Sequence, residues 1–168
     1  SRWWPVFLRN LLVWRKLAIP SLVGNIAEPL MWLVAFGYGM GALVGKVQVD
    51  GTQVPYFVVW PKGAQADGSN PTLLYGYGGF QVSRLPWYSG PFGTAWYDRG
   101  GVLVVANIRG GGEFGPGWHQ AAIKANKQKS YDDFIAVAED LIAKKVTSPR
   151  HLGIEGGSNG GLLVGASM

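Results

Sequence analysis

His151-Leu-Gly-Ile-Glu-Gly-Gly-Ser-Asn-Gly-Gly-Leu162 decides the fold of the larger part of this chain. Its first five residues read as a short strand, and Leu162 onward reads as the start of an apolar helix. Between them, Gly156-Gly157-Ser158-Asn159-Gly160 satisfies G-x-S-x-G in the strand-turn-helix context that the motif requires. The turn must be sharp, and side chains flanking its apex would collide with neighbouring elements, so glycine is used there. Ser158 would then stand exposed at a helix N-terminus, where the Asn159 N–H is placed to stabilise a developing oxyanion. The competing reading is a plain Gly-rich turn with Ser158 as a helix cap. A phosphate-binding loop is disfavoured because no Lys-Ser/Thr pair follows the glycines.

Upstream, the pattern is that of a layered α/β fold. Val54-Pro-Tyr-Phe-Val-Val-Trp60 is a β-branched and aromatic run, and Pro61 to Pro71 carries turn chemistry. Thr72-Leu-Leu-Tyr75 reads as a second strand. Gly101-Val-Leu-Val-Val-Ala-Asn107 reads as a third, apolar on both faces, as a central strand of a covered sheet should be. Ser130-Tyr-Asp-Asp133 resembles a capped helix start, and Phe134, Val137, Ala138, Leu141 and Ile142 follow at helical spacing. With the strand before Ser158, this order predicts a sheet with helices on both faces.

The composition changes near Gly45. Leu17 to Gly45 contains one formal charge, Glu28, and Pro29 to Gly45 contains none. That run approaches the roughly 20 apolar residues a spanning helix needs. Ahead of it, Trp3, Trp4, Phe7, Leu8, Leu11, Leu12 and Trp14 alternate with Arg2, Arg9, Arg15 and Lys16, a mixture suited to a membrane interface. A signal-like segment and a buried helix are the alternatives. Residues 1–45 therefore read as an interfacial plus transmembrane-like helical segment, and residues 46–168 as a separate α/β unit.

Composition narrows the chemistry. The chain has no cysteine, which excludes disulfides and thiolate metal sites, and two histidines cannot build a His-rich metal centre. The net charge of +5 is concentrated at the N-terminus, where residues 1–45 carry +3. No basic patch interleaved with stacking aromatics follows, so no nucleic-acid partner is expected. No cofactor and no metal are expected either.

Three further motifs carry a resemblance. Leu74-Tyr75-Gly76-Tyr77-Gly78-Gly79-Phe80 ends a strand well upstream of Ser158. Asn107-Ile108-Arg109-Gly110-Gly111-Gly112-Glu113-Phe114-Gly115 is followed by Trp118-His119, and Asp132-Asp133-Phe134 completes the set. Together with the Ser158 turn, these resemble the prolyl oligopeptidase family of serine peptidases, from about Asp50 to Met168. The resemblance implies a partial α/β-hydrolase sheet, the N-terminal half of such a catalytic domain, acting on short peptides after proline. It implies Ser158 as catalytic serine, the Asn159 N–H and the Tyr77 hydroxyl as oxyanion donors, and Phe80 and Asn159 near the pocket for the proline-like residue. Arg109 matches a loop held by an arginine hydrogen-bond network and is assigned no chemical role. Separately, Trp14 to Ser21 and Gly24 to Gly41 resemble the N-terminal entry of a nodulation-type ABC exporter permease, in which an interfacial helix leads into the first transmembrane helix.

The triad of this fold runs in the order Ser, Asp, His. No acid or histidine follows Ser158, and His119 and His151 both precede it. The expectation is a truncated, inactive peptidase half with uncovered sheet edges that favour self-association, fused to a permease-like segment. A permease fragment with a fused tail and a membrane-tethered, non-catalytic α/β module are the alternative functions. Membrane association is expected where residues 1–45 are retained, and a cytoplasmic or periplasmic location otherwise.

Overall fold

The computed structural model describes residues 3–41, 44–87 and 90–168. The chain divides into two compact units, Ser1–Ala42 and Leu43–Met168.

The first unit is one helix, α1 (Trp3–Gly41), of 39 residues with Pro20 and Pro29 in its interior. Its side chains from Trp3 to Ala35 are almost all exposed, Trp14, Ile19, Met31 and Leu33 by more than 60% each. The 33 residues from Trp3 to Ala35 are long and apolar enough to cross a membrane. The apolar residues surround the axis instead of forming one stripe, which is the pattern of a helix in lipid or in a protein core.

The second unit is built on a five-stranded sheet. Its strands are β1 (Val44–Val49), β2 (Thr52–Val59), β3 (Thr72–Tyr75), β4 (Val102–Ala106) and β5 (Leu152–Glu155), in the order β1-β2-β4-β3-β5. β2 runs antiparallel to β1 and β4, whereas β3 runs parallel to both β4 and β5. Every residue of β4 is buried, as its unbroken apolar run requires. The helices are the short α2 (Gly90–Ala95) and α3 (Pro116–Gln120), then α4 (Gln128–Ala143) and α5 (Asn159–Ser167). Phe134, Val137 and Leu141 of α4 and Leu163 of α5 join Val54, Tyr56, Leu74, Val102 and Val104 in one core.

The structure changes three expectations. β1 adds a strand that the sequence reading lacked. It is joined to β2 by Asp50-Gly51, whose φ values of 44° and 79° make the two-residue turn that matches strand twist. The expected segment boundary after Gly45 falls inside this strand. Helix α4 begins at Gln128, ahead of Ser130. Ser130 and Asp133 do not cap it, because both side chains are drawn into the loop around Arg109. Finally, α5 begins at Asn159, directly after Ser158 and three residues before Leu162.

Candidate active site

The sheet positions the site through β5. The strand ends at Glu155, the chain turns through Gly156, Gly157 and Ser158, and α5 starts at Asn159. Ser158 adopts φ 54° and ψ −117°, a left-handed conformation that costs a non-glycine residue about 1–3 kcal/mol. Its side chain makes no capping hydrogen bond to the helix and the residue is exposed. A serine serving as a cap would sit in extended backbone with its oxygen turned onto the helix N–H groups. Ser158 does neither.

The glycines of the motif have steric causes. A Cβ on Gly156 would stand 2.3 Å from the Gly160 carbonyl oxygen, and one on Gly160 would stand 2.6 Å from the Gly76 carbonyl oxygen. The elbow is thus folded tightly on itself and pressed against the end of β3.

Asn159 ties the elbow to the Tyr77 loop. Its side-chain amide donates to the Tyr77 carbonyl oxygen at 2.5 Å. Among the described residues no acceptor takes the Asn159 main-chain N–H. Tyr77 is half-buried, and the Arg84 guanidinium lies 4.7 Å from its ring centroid, a cation–π contact. Phe80 is 75% exposed and, like Gln81, adopts positive φ. Phe80 and Asn159 line one open pocket of about 460 Å3, together with Gly79, His119, Ile123 and Lys127. A second cavity, of about 490 Å3, opens over β1 and β2 between Phe57, Phe114 and Trp118; its surface is mostly apolar, with Lys46, Gln53 and Asn107 also among its lining residues.

A buried ion-pair network supports this loop cluster. Arg109 is 3% exposed and Asp133 fully buried. The guanidinium donates to both Asp133 oxygens, at 2.6 Å from one terminal nitrogen and 2.9 Å from Nε, and its other terminal nitrogen donates to Asp50 at 2.7 Å. The Arg109 main-chain N–H also donates to Asp133, at 2.9 Å. These bonds hold the Arg109 guanidinium pKa above its ordinary value. Burial pushes the Glu113 carboxyl up, opposed by the Arg84 N–H that donates to it at 2.9 Å.

Among the described residues neither histidine is hydrogen-bonded to Ser158. His119 lies on α3, and its Nδ1 is 2.7 Å from the Gly110 carbonyl oxygen. The Gln81 main-chain nitrogen is 3.2 Å from the same Nδ1, so the tautomer decides which of the two bonds forms. His151 precedes β5, at the opposite end of that strand from the elbow, with its Nδ1 2.9 Å from Ser148 Oγ. No cluster of metal-ligating side chains occurs among the described residues. Sequence reasoning missed Arg84 and Lys127, which touch the Tyr77–Gly78 loop and carry no local motif, and reads Ser130 only as a helix start.

Residues 87–168 match the family model described as the prolyl oligopeptidase family. This stretch is prolyl oligopeptidase-family peptidase sequence. An uncharacterized peptidase of Sinorhizobium fredii is 63% identical over 119 residues, which are 71% of this chain and 16% of that protein. A prolyl endopeptidase of Elizabethkingia meningoseptica is 47% identical over 119 residues, covering 71% of this chain and 17% of its own length. A post-proline cleaving enzyme from Rickettsia typhi superposes with a TM-score of 0.71 at 51% identity, over 74% of this chain and 18% of its own. The chain therefore spans less than a fifth of each of these relatives. The mixed sheet of the second unit has the α/β-hydrolase fold of its prolyl oligopeptidase neighbours.

Proposed function

We propose that residues 44–168 supply the nucleophile and the oxyanion donors of a serine peptidase that cleaves short peptides after proline. The observation that carries this is Ser158, exposed, uncapped and held in a left-handed conformation between β5 and α5. In this reading Ser158 Oγ attacks the scissile carbonyl. The Asn159 N–H and the Tyr77 hydroxyl receive the developing negative charge, and the pocket lined by Phe80 and Asn159 takes the proline ring. An apolar, open pocket suits a proline side chain, which carries no donor. Without a base, a serine hydroxyl is a weak nucleophile. In this reading the acid and base come from outside the 168 residues, which alone are inactive, as neither histidine is hydrogen-bonded to Ser158.

The test is hydrolysis of a succinyl-Gly-Pro arylamide by the chain combined with the remaining part of the catalytic domain of the Sinorhizobium relative. Hydrolysis that requires Ser158 and favours proline over alanine before the scissile bond supports the reading. A folded, assembled pair that hydrolyses neither peptide sinks it.

A second reading concerns α1. We propose that Trp3–Ala35 is a membrane segment, on the ground that a 33-residue helix exposes apolar side chains all round. Interior prolines are tolerated in such helices when neighbouring groups satisfy the freed carbonyls. Its likeness to the entry of an ABC exporter permease rests on residues 14–41 of the sequence, and on that ground we propose a fused origin. Alkaline carbonate should leave the whole chain in the membrane pellet and release residues 44–168 expressed alone. Release of both removes the membrane reading and leaves a non-catalytic or soluble module to be considered. An exposed β5 edge beside Leu162, which is 60% exposed, is the surface through which we propose self-association.

A further inference from the structure

Two side chains of the α4 N-terminal region reach the Gly78 carbonyl oxygen. Lys127 Nζ lies 2.6 Å from it, and Ser130 Oγ lies 3.3 Å from it. Ser130 has one proton, and its shorter bond goes to the Arg109 carbonyl oxygen at 2.6 Å. Lys127 is therefore the donor that holds Gly78, while Ser130 accepts from the ammonium at 3.4 Å. The neighbouring carbonyl, that of Tyr77, is held by Asn159 at 2.5 Å. Both carbonyls of the Tyr77-Gly78 pair are thus fixed by side chains, one from the elbow and one from α4.

The surroundings leave the Gly78 carbonyl no second position. Gly78 itself has φ 59°, which only glycine adopts without strain. On the far side, a Cβ placed on Gly110 would stand 2.4 Å from the Gly78 oxygen, so the Gly110 backbone is packed directly against it. Lys127 is half-buried, its ammonium lies 5.8 Å from the Tyr131 ring centroid, and burial pushes its pKa down. A cation that is partly removed from water and aimed at one carbonyl makes a stronger bond than an exposed one.

We infer that Lys127 is a positioning residue for the oxyanion donor: by holding the Gly78 carbonyl it fixes the Gly78-Gly79 peptide, next to the Tyr77-Gly78 peptide that Asn159 holds, and with it the direction in which the Tyr77 ring leaves the loop. The Arg84 guanidinium on the ring face and the Asn159 amide on the Tyr77 carbonyl complete a three-sided mount. Lys127 does not touch the reacting atoms; it acts through Tyr77. The inference rests on the proposed role of Tyr77, yet its structural part is readable without catalysis.

The experiment compares wild type, Lys127→Met and Lys127→Arg in the whole chain in detergent micelles, by carbonyl-carbon and tyrosine-ring NMR. Lys127→Met should move the Gly78 carbonyl carbon upfield and displace the Tyr77 ring resonances. Amide exchange across Gly79–Val82 should quicken about tenfold, because local opening no longer breaks that bond. The Arg109 Nε–H and the α4 amides should stay in place, and Lys127→Arg should restore the Tyr77 ring. Gly78 and Tyr77 resonances unmoved in Lys127→Met overturn the inference, and so does displacement spread through α4. If Lys127→Met does not fold, the hydrogen-bond coupling between Lys127 Nζ and the Gly78 carbonyl carbon in wild type decides, and its absence overturns the inference. In the complemented peptidase, Lys127→Met should lower kcat about tenfold, and this kcat loss should disappear in a Tyr77→Phe background; kcat is the readout because Lys127 also lines the pocket proposed for the proline ring. A fully additive loss overturns the link through Tyr77. Failure of the wild-type complex to turn over counts against the peptidase reading and leaves the NMR comparison intact.

Discussion

The Asn159 side-chain amide and the Tyr77 main-chain carbonyl meet at 2.5 Å, although 82 positions separate them in the chain. This bond fastens the serine elbow to the loop that ends β3. Asn159→Ala leaves the Tyr77 carbonyl without its donor in a half-buried place. The cost should be about 1–3 kcal/mol in chemical denaturation. In the complemented peptidase, kcat should fall more than KM rises, since the loop is positioned by this bond. An Asn159→Ala protein with wild-type stability and kcat would show that the bond holds nothing.

The elbow glycines separate steric need from mere flexibility. A Cβ on Gly160 meets the Gly76 carbonyl oxygen at 2.6 Å, whereas a Cβ on Gly157 meets nothing within 4 Å. Gly160→Ala should destabilise the chain by about 1–3 kcal/mol. Gly157→Ala should stay within about 0.5 kcal/mol of wild type. Equal effects of the two substitutions on thermal midpoint would contradict the packing described for the turn.

Arg109 is the structural centre of the loops. Replacing it with Met leaves the Asp133 carboxylate fully buried and uncompensated. Loss of one partner of such a pair costs about 3–5 kcal/mol. Arg109→Met combined with Asp133→Asn should recover part of the loss, because the orphaned charge is then removed. Denaturation midpoints of the two single variants and the double variant measure this directly; strict additivity would argue against a coupled pair.

Tyr56 gives the α4–sheet contact a pH dependence. Its hydroxyl donates to Asp140, and Lys144 sits 3.1 Å from the same oxygen. Burial, aided by the bond to Asp140, pushes the phenol pKa up to about 12. A raised folded-state value means that the neutral phenol contributes its stability fully below the unfolded value near 10. That contribution is lost as the pH rises toward 12. Lys144, also held up by Asp140 and Tyr56, weakens in the same direction. Tyr56→Phe should therefore flatten the fall of stability between about pH 10 and 12. An unchanged slope would remove Tyr56 as its source.

Much of the sheet was legible because its strands are short and apolar and bounded by turn residues. β3 has the limits expected, and β4 lies within one residue of them at each end. The first strand is not legible in the sequence, because the change of composition near Gly45 falls within it and reads as a boundary between segments. Ser130 and Asp133 looked like a helix start from spacing alone. Their side chains answer instead to Arg109, more than 20 residues away, a demand that no local pattern encodes. The same limit applies to the site. The Ser158 elbow was readable because its glycines, strand and helix are adjacent in sequence. The bonds that join it to Tyr77, Gly78 and Lys127 link distant parts of the chain and became visible only in three dimensions.

The most direct test is covalent labelling by a fluorophosphonate probe of the chain alone, and of the chain combined with the remaining catalytic domain of its Sinorhizobium relative, each beside a Ser158→Ala control. With the base supplied from outside these residues, as proposed, Ser158 should stay unlabelled in the folded chain alone and become labelled in the combination, in wild type only. Labelling of the isolated chain at Ser158 would contradict the proposal that the base comes from outside these residues. A folded combination that never labels, or that labels equally with Ser158→Ala, would contradict Ser158 as the nucleophile.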